Sequence, residues 1–225
     1  MKKLIPFGCF SVLCFLLAGC AAFQPTYYGT YNINLQQVDR PTGTVSKYGK
    51  VKISPLTQEG INKYVFEDKM VKVIWDAAAD NLSAVLVNKT SSSIKIIWDD
   101  AAYIDENGMS HRIIHSGINY NEMDKPQLST IIAANEKINE VIIPTNLIYY
   151  EEGFYGENDF KAGRWIEKPL FEYCQTGGKE DSAIRLLKSN VGKTFKLLLP
   201  LKIEKIVSDY VFTFRVKGYS YKGKL

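Results

Sequence analysis

Alternating apolar and polar residues predict half-buried strands in the first half of the chain. Residues 71–75 alternate and end at Trp75, and residues 94–98 alternate in the same way and end at Trp98. Successive side chains of a strand point to opposite faces, so each segment is expected to direct its tryptophan into a core. A third apolar run, 82–87, lies between polar turn residues. The three segments predict a meander.

A hairpin is predicted further along the chain. Residues 102–104 precede the turn Asp105-Glu106-Asn107-Gly108, and a strand follows over 109–114. Asn-Gly is the strongest short hairpin signal, because both residues accept positive φ.

Three more strands are predicted at 138–143, 194–203 and 210–216. The last two alternate over their whole length. Pro200 lies within one of them and has no N–H to donate, which predicts a sheet edge or a bulge there.

One short helix is predicted over residues 182–190. Ile184, Leu187 and Val191 share a face at helical spacing, and Gly192 stands where a glycine often ends a helix. With many short strands and little helix, the expected fold is all-β, an antiparallel immunoglobulin-like β-sandwich.

The first 19 residues have the layout of a secretory signal. Lys2 and Lys3 precede sixteen uncharged residues, 4–19. That run is shorter than the roughly 20 residues of a spanning helix. Since residues 21–23 extend it, an uncleaved anchor remains an alternative.

The signal ends in Leu17-Ala18-Gly19-Cys20, which resembles the lipobox of bacterial lipoproteins. The resemblance implies that the Cys20 thiol receives a diacylglyceryl group, that cleavage precedes Cys20, and that fatty acyl chains such as palmitate anchor the protein. Two or more chains give stable membrane attachment. In that family an aspartate after the cysteine retains the protein at the inner membrane. Ala21 therefore implies the outer membrane, on either its periplasmic or its external face.

Residues 20–46 are interpreted as a tether and residues 47–225 as a single β-sandwich domain. The tether segment has prolines, glycines and polar residues without a sustained apolar period. The segment also contains three tyrosines, Tyr27, Tyr28 and Tyr31. They leave open a second possibility, that the segment docks on the domain.

A second resemblance concerns residues 82–90 and 94–96, where an apolar strand ends in Asn88 and a polar turn leads to the next strand. This pattern is similar to one in immunoglobulin-like accessory domains of bacterial surface and periplasmic lipoproteins. It implies the fold without an activity, because such folds serve many functions.

Composition and charge narrow the classes of partner. The 225 residues are 46% hydrophobic and 23% charged, as in globular proteins. Removing Lys2 and Lys3 from the 28 basic residues leaves 26 against 24 acidic ones, a net charge of +2. Basic and acidic residues are interspersed, which argues against nucleic-acid binding.

Little in the sequence predicts a cofactor, a metal or a disulfide. Cys174 is the only cysteine beyond Cys20, and we expect a buried thiol, with a reactive or intermolecular thiol as the alternative. His111 and His115 fall on a strand about 13 Å apart, too far to bind one ion.

No catalytic residues are predicted. The chain has no G-x-S-x-G motif, and no serine or cysteine has a recognisable nucleophile context. Two carboxylate pairs, Asp99-Asp100 and Glu151-Glu152, are adjacent in sequence, so in a strand their side chains point to opposite faces. We expect a protein that is not an enzyme.

The most distinctive stretch is 149–173, which is rich in aromatic residues and glycines and has no clean periodicity. A long irregular loop is often functional, and one interpretation of its aromatic residues is a binding platform for a protein or for sugar rings. The alternative is that its rings pack down and close one end of the sandwich. The candidate platform residues are Tyr150, Phe154, Tyr155 and Trp165.

Two functions are therefore predicted. The first is a lipid-anchored interaction or assembly module of the cell envelope that binds a protein partner. The alternative is a carbohydrate-binding lipoprotein that uses the aromatic loop.

Overall fold

The structure is a computed structural model that describes residues 24–41, 45–58, 60–156 and 159–224. The signal segment 1–19 and the predicted lipidation site Cys20 lie outside the described residues.

The described residues form antiparallel strands and two helices. The helices are α1 (Val45–Tyr48) and α2 (Glu180–Ser189), and single 3-10 turns lie at Trp98–Asp100, Tyr120–Glu122 and Thr145–Leu147. The strands are β1 (Thr26–Asp39), β2 (Lys52–Gln58), β3 (Ile61–Glu67), β4 (Val71–Ala77), β5 (Leu82–Asn88), β6 (Ile94–Ile96), β7 (Ala102–Ile104), β8 (Ser110–His115), β9 (Thr130–Ile132), β10 (Lys137–Pro144), β11 (Ile148–Glu151), β12 (Phe154–Tyr155), β13 (Phe160–Lys161), β14 (Arg164–Glu167), β15 (Cys174–Thr176), β16 (Thr194–Ile203) and β17 (Ile206–Lys224).

One curled sheet contains most of the strands, in the order β15-β1-β17-β16-β7-β8-β10-β5-β4-β3-β2, with β6 paired to β16 and β9 paired to β6. Strand β8 joins the two halves, because residues 110–112 pair with β7 and residues 113–115 pair with β10. The prediction of an all-β antiparallel fold is confirmed. The immunoglobulin-like topology is not confirmed, since thirteen of the strands belong to one hydrogen-bonded sheet.

Aromatic side chains fill the space between the two halves of the sheet. Trp75 of β4 lies 4.9 Å from Phe212 and 5.3 Å from Phe214 of β17, measured between ring centroids. Phe66 of β3 lies 5.5 Å from Phe212. These edge-to-face contacts join strands that share no hydrogen bonds. Trp75 is buried, as the alternation predicts.

The predicted meander is wrong at its third strand. Strands β4 and β5 pair, but β6 pairs with β16 and β9, and β10 takes the place beside β5. The buried amide of Asn88 explains the crossing, because it donates to the carbonyls of Ser92, Ile132 and Ala133. These bonds direct the chain after β5 toward β9 instead of back along β5.

The predicted hairpin is confirmed, with Ile104 opposite Ser110 across β7 and β8. Its turn needs only one residue with positive φ, Gly108 at +81°. The Asp105 carboxylate closes the turn by accepting the N–H groups of Asn107 and Met109.

Pro200 lies neither at an edge nor at a bulge. The register between β16 and β17 runs without a shift from Thr194 to Ile203. On its other side, β16 pairs with β7 before Pro200 and with β6 after it. The Pro200 carbonyl accepts the Ile97 N–H. In an antiparallel strand the backbone N and C=O groups of one residue point to the same neighbouring strand. The Pro200 nitrogen, which has no hydrogen to donate, therefore faces the position between the β7 and β6 ladders, where no strand residue pairs with it.

The predicted helix is α2, with a different buried face. Ala183 and Leu187 are buried, whereas Val191 is exposed beyond the end of the helix. A side chain at Gly29 of β1 would meet Leu187, so this glycine lets the helix pack closely on the sheet.

Residues 26–39 of the predicted tether form β1, which lies between β17 and β15. The tether prediction is wrong for these residues. The buried side chains of β1 are Ile33, Leu35 and Val38, and a register shift between Leu35 and Gln37 interrupts the alternation. Tyr31 docks, as its hydroxyl donates to the Glu172 carbonyl.

A buried carboxylate connects the end of β1 to the rest of the sheet. Asp68 Oδ1 accepts the N–H groups of Met70 and Val71, while Oδ2 accepts Arg40 Nη1 at 2.7 Å and the Tyr210 hydroxyl at 3.1 Å. Arg40 also donates to the Gly49 carbonyl. Burial, and then the Asp68 charge, raise the pKa of Tyr210, which keeps its hydroxyl protonated as a donor.

Asp68→Asn should strongly destabilise the fold. The Arg40 and Asp68 side chains are 4% and 0% exposed, so the substitution leaves a guanidinium buried without its counter-charge. We expect a loss of about 3–5 kcal/mol in the free energy of unfolding in urea. Glu204→Gln removes an exposed ion pair with Lys47 and is the control, expected to cost less than about 1 kcal/mol. Equal losses in the two variants would contradict this account.

Candidate functional site

The aromatic stretch forms a two-stranded arm rather than an irregular loop. The arm comprises the described residues 148–156 and 159–167, in which β11 pairs with β14 and β12 with β13. At its tip the Gly156 N–H donates to the Asp159 carbonyl, and at its root the Lys168 N–H donates to the Leu147 carbonyl. The glycines and the interruption between the two short ladders, which keep one register, hide its strand period in the sequence.

Two glycines let the strands of the arm approach each other closely. A Cβ built on Gly153 would lie 2.6 Å from the Lys161 carbonyl oxygen and 2.7 Å from the Gly163 nitrogen. A Cβ on Gly163 would collide with the Tyr150 hydroxyl. Gly153 therefore permits the close approach of the two backbones, and Gly163 permits the position of the Tyr150 side chain.

An ion cluster holds the two sides of the arm together. Glu151 Oε2 accepts Lys161 Nζ at 2.9 Å and Arg164 Nε at 3.0 Å. The hydrogen bond from Lys161, and then that from Arg164, lower the pKa of Glu151. In the other carboxylate pair, Asp99 accepts the Gln127 N–H. One carboxylate of each pair thus has a structural partner.

The predicted platform residues are all exposed, and they separate into two contact groups. Tyr150 lies opposite Trp165 across β11 and β14, with ring centroids 5.3 Å apart, and Tyr120 approaches Trp165 at 6.1 Å. We call these three the base cluster. Tyr155 lies 5.0 Å from Phe160. We call Phe154, Tyr155 and Phe160 the tip cluster; their exposures are 61%, 80% and 64%.

Other aromatic residues of the same stretch do pack into the body. Phe171 is buried and contacts Tyr31 and Phe195. The two alternatives predicted for residues 149–173 therefore apply to different parts of the stretch. That the exposed part binds a ligand stays a prediction.

A pocket opens beside the base cluster. It has a volume of about 510 Å³ and is lined by Ile118, Asn119, Tyr120, Asn121 and Trp165. The Tyr120 hydroxyl donates to Glu167 at 3.0 Å, and burial together with Glu167 raises the pKa of Tyr120. Sequence reasoning missed residues 118–121, because nothing local indicates that this turn meets the arm.

The two histidines have separate carboxylate partners. His111 Nε2 lies 3.1 Å from Asp105, and His115 Nδ1 lies 3.3 Å from Glu140. The His115 ring also stacks on Trp98, with centroids 4.2 Å apart. Within the described part of the chain, no group of three or more His, Cys, Asp or Glu residues could hold a metal ion.

Cys174 is exposed, so the expectation of a buried thiol is wrong. It lies on β15, a three-residue edge strand opposite Tyr28 of β1. The burial pattern of β15 places only Gln175 partly inward.

Comparison with known proteins finds no matching family model, no matching curated protein and no matching solved structure. Among the residues that the structure describes, no helix combines the length and the apolar character needed to cross a membrane. The fold and the candidate site together define an all-β protein that carries an exposed aromatic arm.

Gly153→Ala should disrupt the arm while leaving the body intact. The added methyl group meets backbone atoms, which cannot rotate away as a side chain could. Gly153 does not have a positive φ, so the effect of alanine comes from this clash and not from backbone strain. We expect faster amide hydrogen exchange in residues 148–167 and a red shift of Trp165 emission, with the exchange of β17 unchanged.

Gly218→Ala is the matched control, because a Cβ there has no atom within 4 Å. If amide hydrogen exchange in residues 148–167 is the same in both variants, the close backbone contact at Gly153 is disproved.

Proposed function

We propose that this protein is a non-enzymatic lipoprotein of the bacterial envelope that binds a protein partner through its arm. The exposed tip cluster is the observation that carries the proposal. The described aromatic side chains outside the arm are buried or half-buried, so three exposed rings on one ladder are a departure from the pattern of the molecule.

The arm has the properties of a protein-binding element. Tyrosine and other aromatic side chains supply much contact area at a low cost in conformational entropy and dominate interface hot spots. The two ladders and the Glu151 cluster fix the strands before binding, which lowers the entropy lost on association.

Charge around the tip favours a particular kind of partner. Glu152 and Asp159 flank the tip cluster and are exposed, and neither forms an ion pair among the described residues. The two basic residues of the arm, Lys161 and Arg164, are bound to Glu151. An apolar cleft with a basic rim is complementary to this tip, whereas an anionic membrane surface would be repelled by it.

The lipid anchor is supported by the sequence alone. Leu17-Ala18-Gly19-Cys20 resembles a lipobox, and acylation at Cys20 would attach the protein to a membrane. Ala21 favours the outer membrane in the sorting pattern of that family. Both the periplasmic and the external face are compatible with this address.

Cys20→Ala should abolish acylation, because the thiol is the only group at this position that can accept the diacylglyceryl chain. We expect loss of labelling by a fatty-acid analogue and accumulation of the uncleaved precursor, measured by mass spectrometry. Cys14→Ala changes a thiol inside the signal segment and is the control, with normal labelling expected. Unchanged processing of the Cys20 variant would refute the anchor.

The protein partner can be tested by photo-crosslinking from the tip. A benzoylphenylalanine in place of Tyr155 should form an adduct of defined mass in the native envelope, because this ring is 80% exposed in the tip cluster. The matched control replaces Leu128, which is 89% exposed but lies outside the arm. The adduct should decrease at least about fivefold when Phe154 and Phe160 are also changed to serine.

Identical adducts from both positions, or an adduct that is insensitive to the serine changes, would contradict docking through the tip cluster.

A further inference from the structure

The pocket beside the base cluster has a composition different from that of the tip. Its lining combines one aliphatic side chain, two aromatic rings and two amides, Asn119 and Asn121. Its volume of about 510 Å³ falls within the range of small-ligand sites. We infer that this pocket binds an uncharged glycan, with a sugar ring stacked on Trp165 and hydroxyl groups bonded to the two amides.

Trp165 offers a flat apolar surface at the wall of the pocket. Trp165 is 37% exposed, and the rings of Tyr120 and Tyr150 meet its indole at 74° and 65°. Neither tyrosine therefore lies flat over the indole, as a stacked ring would. The negative face of an aromatic ring attracts the positively polarised C–H groups that line one face of a pyranose.

The amides suit hydroxyl groups. A sugar hydroxyl both donates and accepts, and an asparagine side chain offers a carbonyl acceptor and an N–H donor about 2 Å apart. Asn119 and Asn121 flank Tyr120 in one exposed turn. The side chain of Asn121 forms no hydrogen bond within the described residues, so a ligand need not displace an internal partner.

The charges near the pocket argue against an anionic ligand. Glu122 is paired with Lys125 at 2.9 Å, and hydrogen bonds from Lys125 and then Asn119 contribute to lowering the pKa of Glu122. Glu167 accepts the Tyr120 hydroxyl. No unpaired basic side chain lines the pocket to neutralise a carboxylate or sulfate.

The pocket is also fixed before a ligand arrives. The Glu122 N–H donates to the Asn119 carbonyl, and the Met123 N–H donates to the Tyr120 carbonyl. The hydrogen bond from Tyr120 to Glu167 ties this turn to β14 of the arm. Less ordering is then required on binding, which favours even a weak ligand.

Trp165 supplies a direct test, because the other two tryptophans, Trp75 and Trp98, are each only 1% exposed. The full chain in detergent is titrated with maltohexaose, cellohexaose and hexa-N-acetylchitohexaose, and tryptophan emission is recorded. At least one neutral hexasaccharide should shift the emission to the blue, with a Kd on the order of 1 mM. Hexagalacturonate, the anionic comparison, should bind at least about tenfold more weakly.

Two variants separate a binding role from a folding role. Asn121→Ala changes an exposed side chain and retains the Trp165 reporter, and it should weaken binding about fivefold or more. Trp165→Ala should abolish binding measured by calorimetry. Tyr155→Ala at the tip is the control and should leave glycan binding unchanged, which keeps this test independent of the proposed protein partner.

The inference is overturned if no neutral hexasaccharide alters the emission at 20-fold above the expected Kd, if hexagalacturonate binds equally well, or if Asn121→Ala has no effect. It is also overturned if a photo-crosslinker at Asn121 yields the same protein adduct as one at Tyr155, because the pocket then belongs to the protein interface.

Discussion

The closure of the sheet depends on the hydrogen bonds of the buried Asp68 carboxylate. One carboxylate oxygen accepts two backbone N–H groups of the turn between β3 and β4. The other oxygen accepts Arg40, which follows β1, and the hydroxyl of Tyr210 on β17. The edge-to-face contacts of Phe66 and Trp75 with β17 lie in the same space between the two halves of the sheet. A buried carboxylate is unfavourable unless every lone pair is satisfied, so this network specifies one arrangement of these strands.

Because the two halves of the sheet already enclose a complete core, the fold can carry an exposed aromatic arm. The core already contains the rings of Trp75, Phe195 and Phe214, each at most 1% exposed. The arm adds no strand to the main sheet and is attached through the turn at Thr145–Leu147 and through Lys168. Its aromatic side chains are thus not required for the fold, and their exposure calls for a reason of its own.

The sequence predicts most of the body because period-2 alternation survives where strands are regular, as in β4, β5 and β16. It fails where an interaction is distant or a period is broken. The register shift in β1 hides its buried positions, and Asn88 selects a crossing through carbonyls about 45 residues away. Asp68 reaches Tyr210 across 142 residues, which no local pattern can indicate.

The three tryptophans show how far such reasoning extends to the candidate site. Trp75 and Trp98 end alternating segments, and both are buried as that pattern predicts. Trp165 follows three glycines of the arm. Its exposure is set by cross-strand pairing with Tyr150 and by the approach of Tyr120 from a separate turn. The amides of the pocket come with that turn. A site assembled from two segments 45 residues apart requires the three-dimensional fold, even when the sequence has already singled out its central ring.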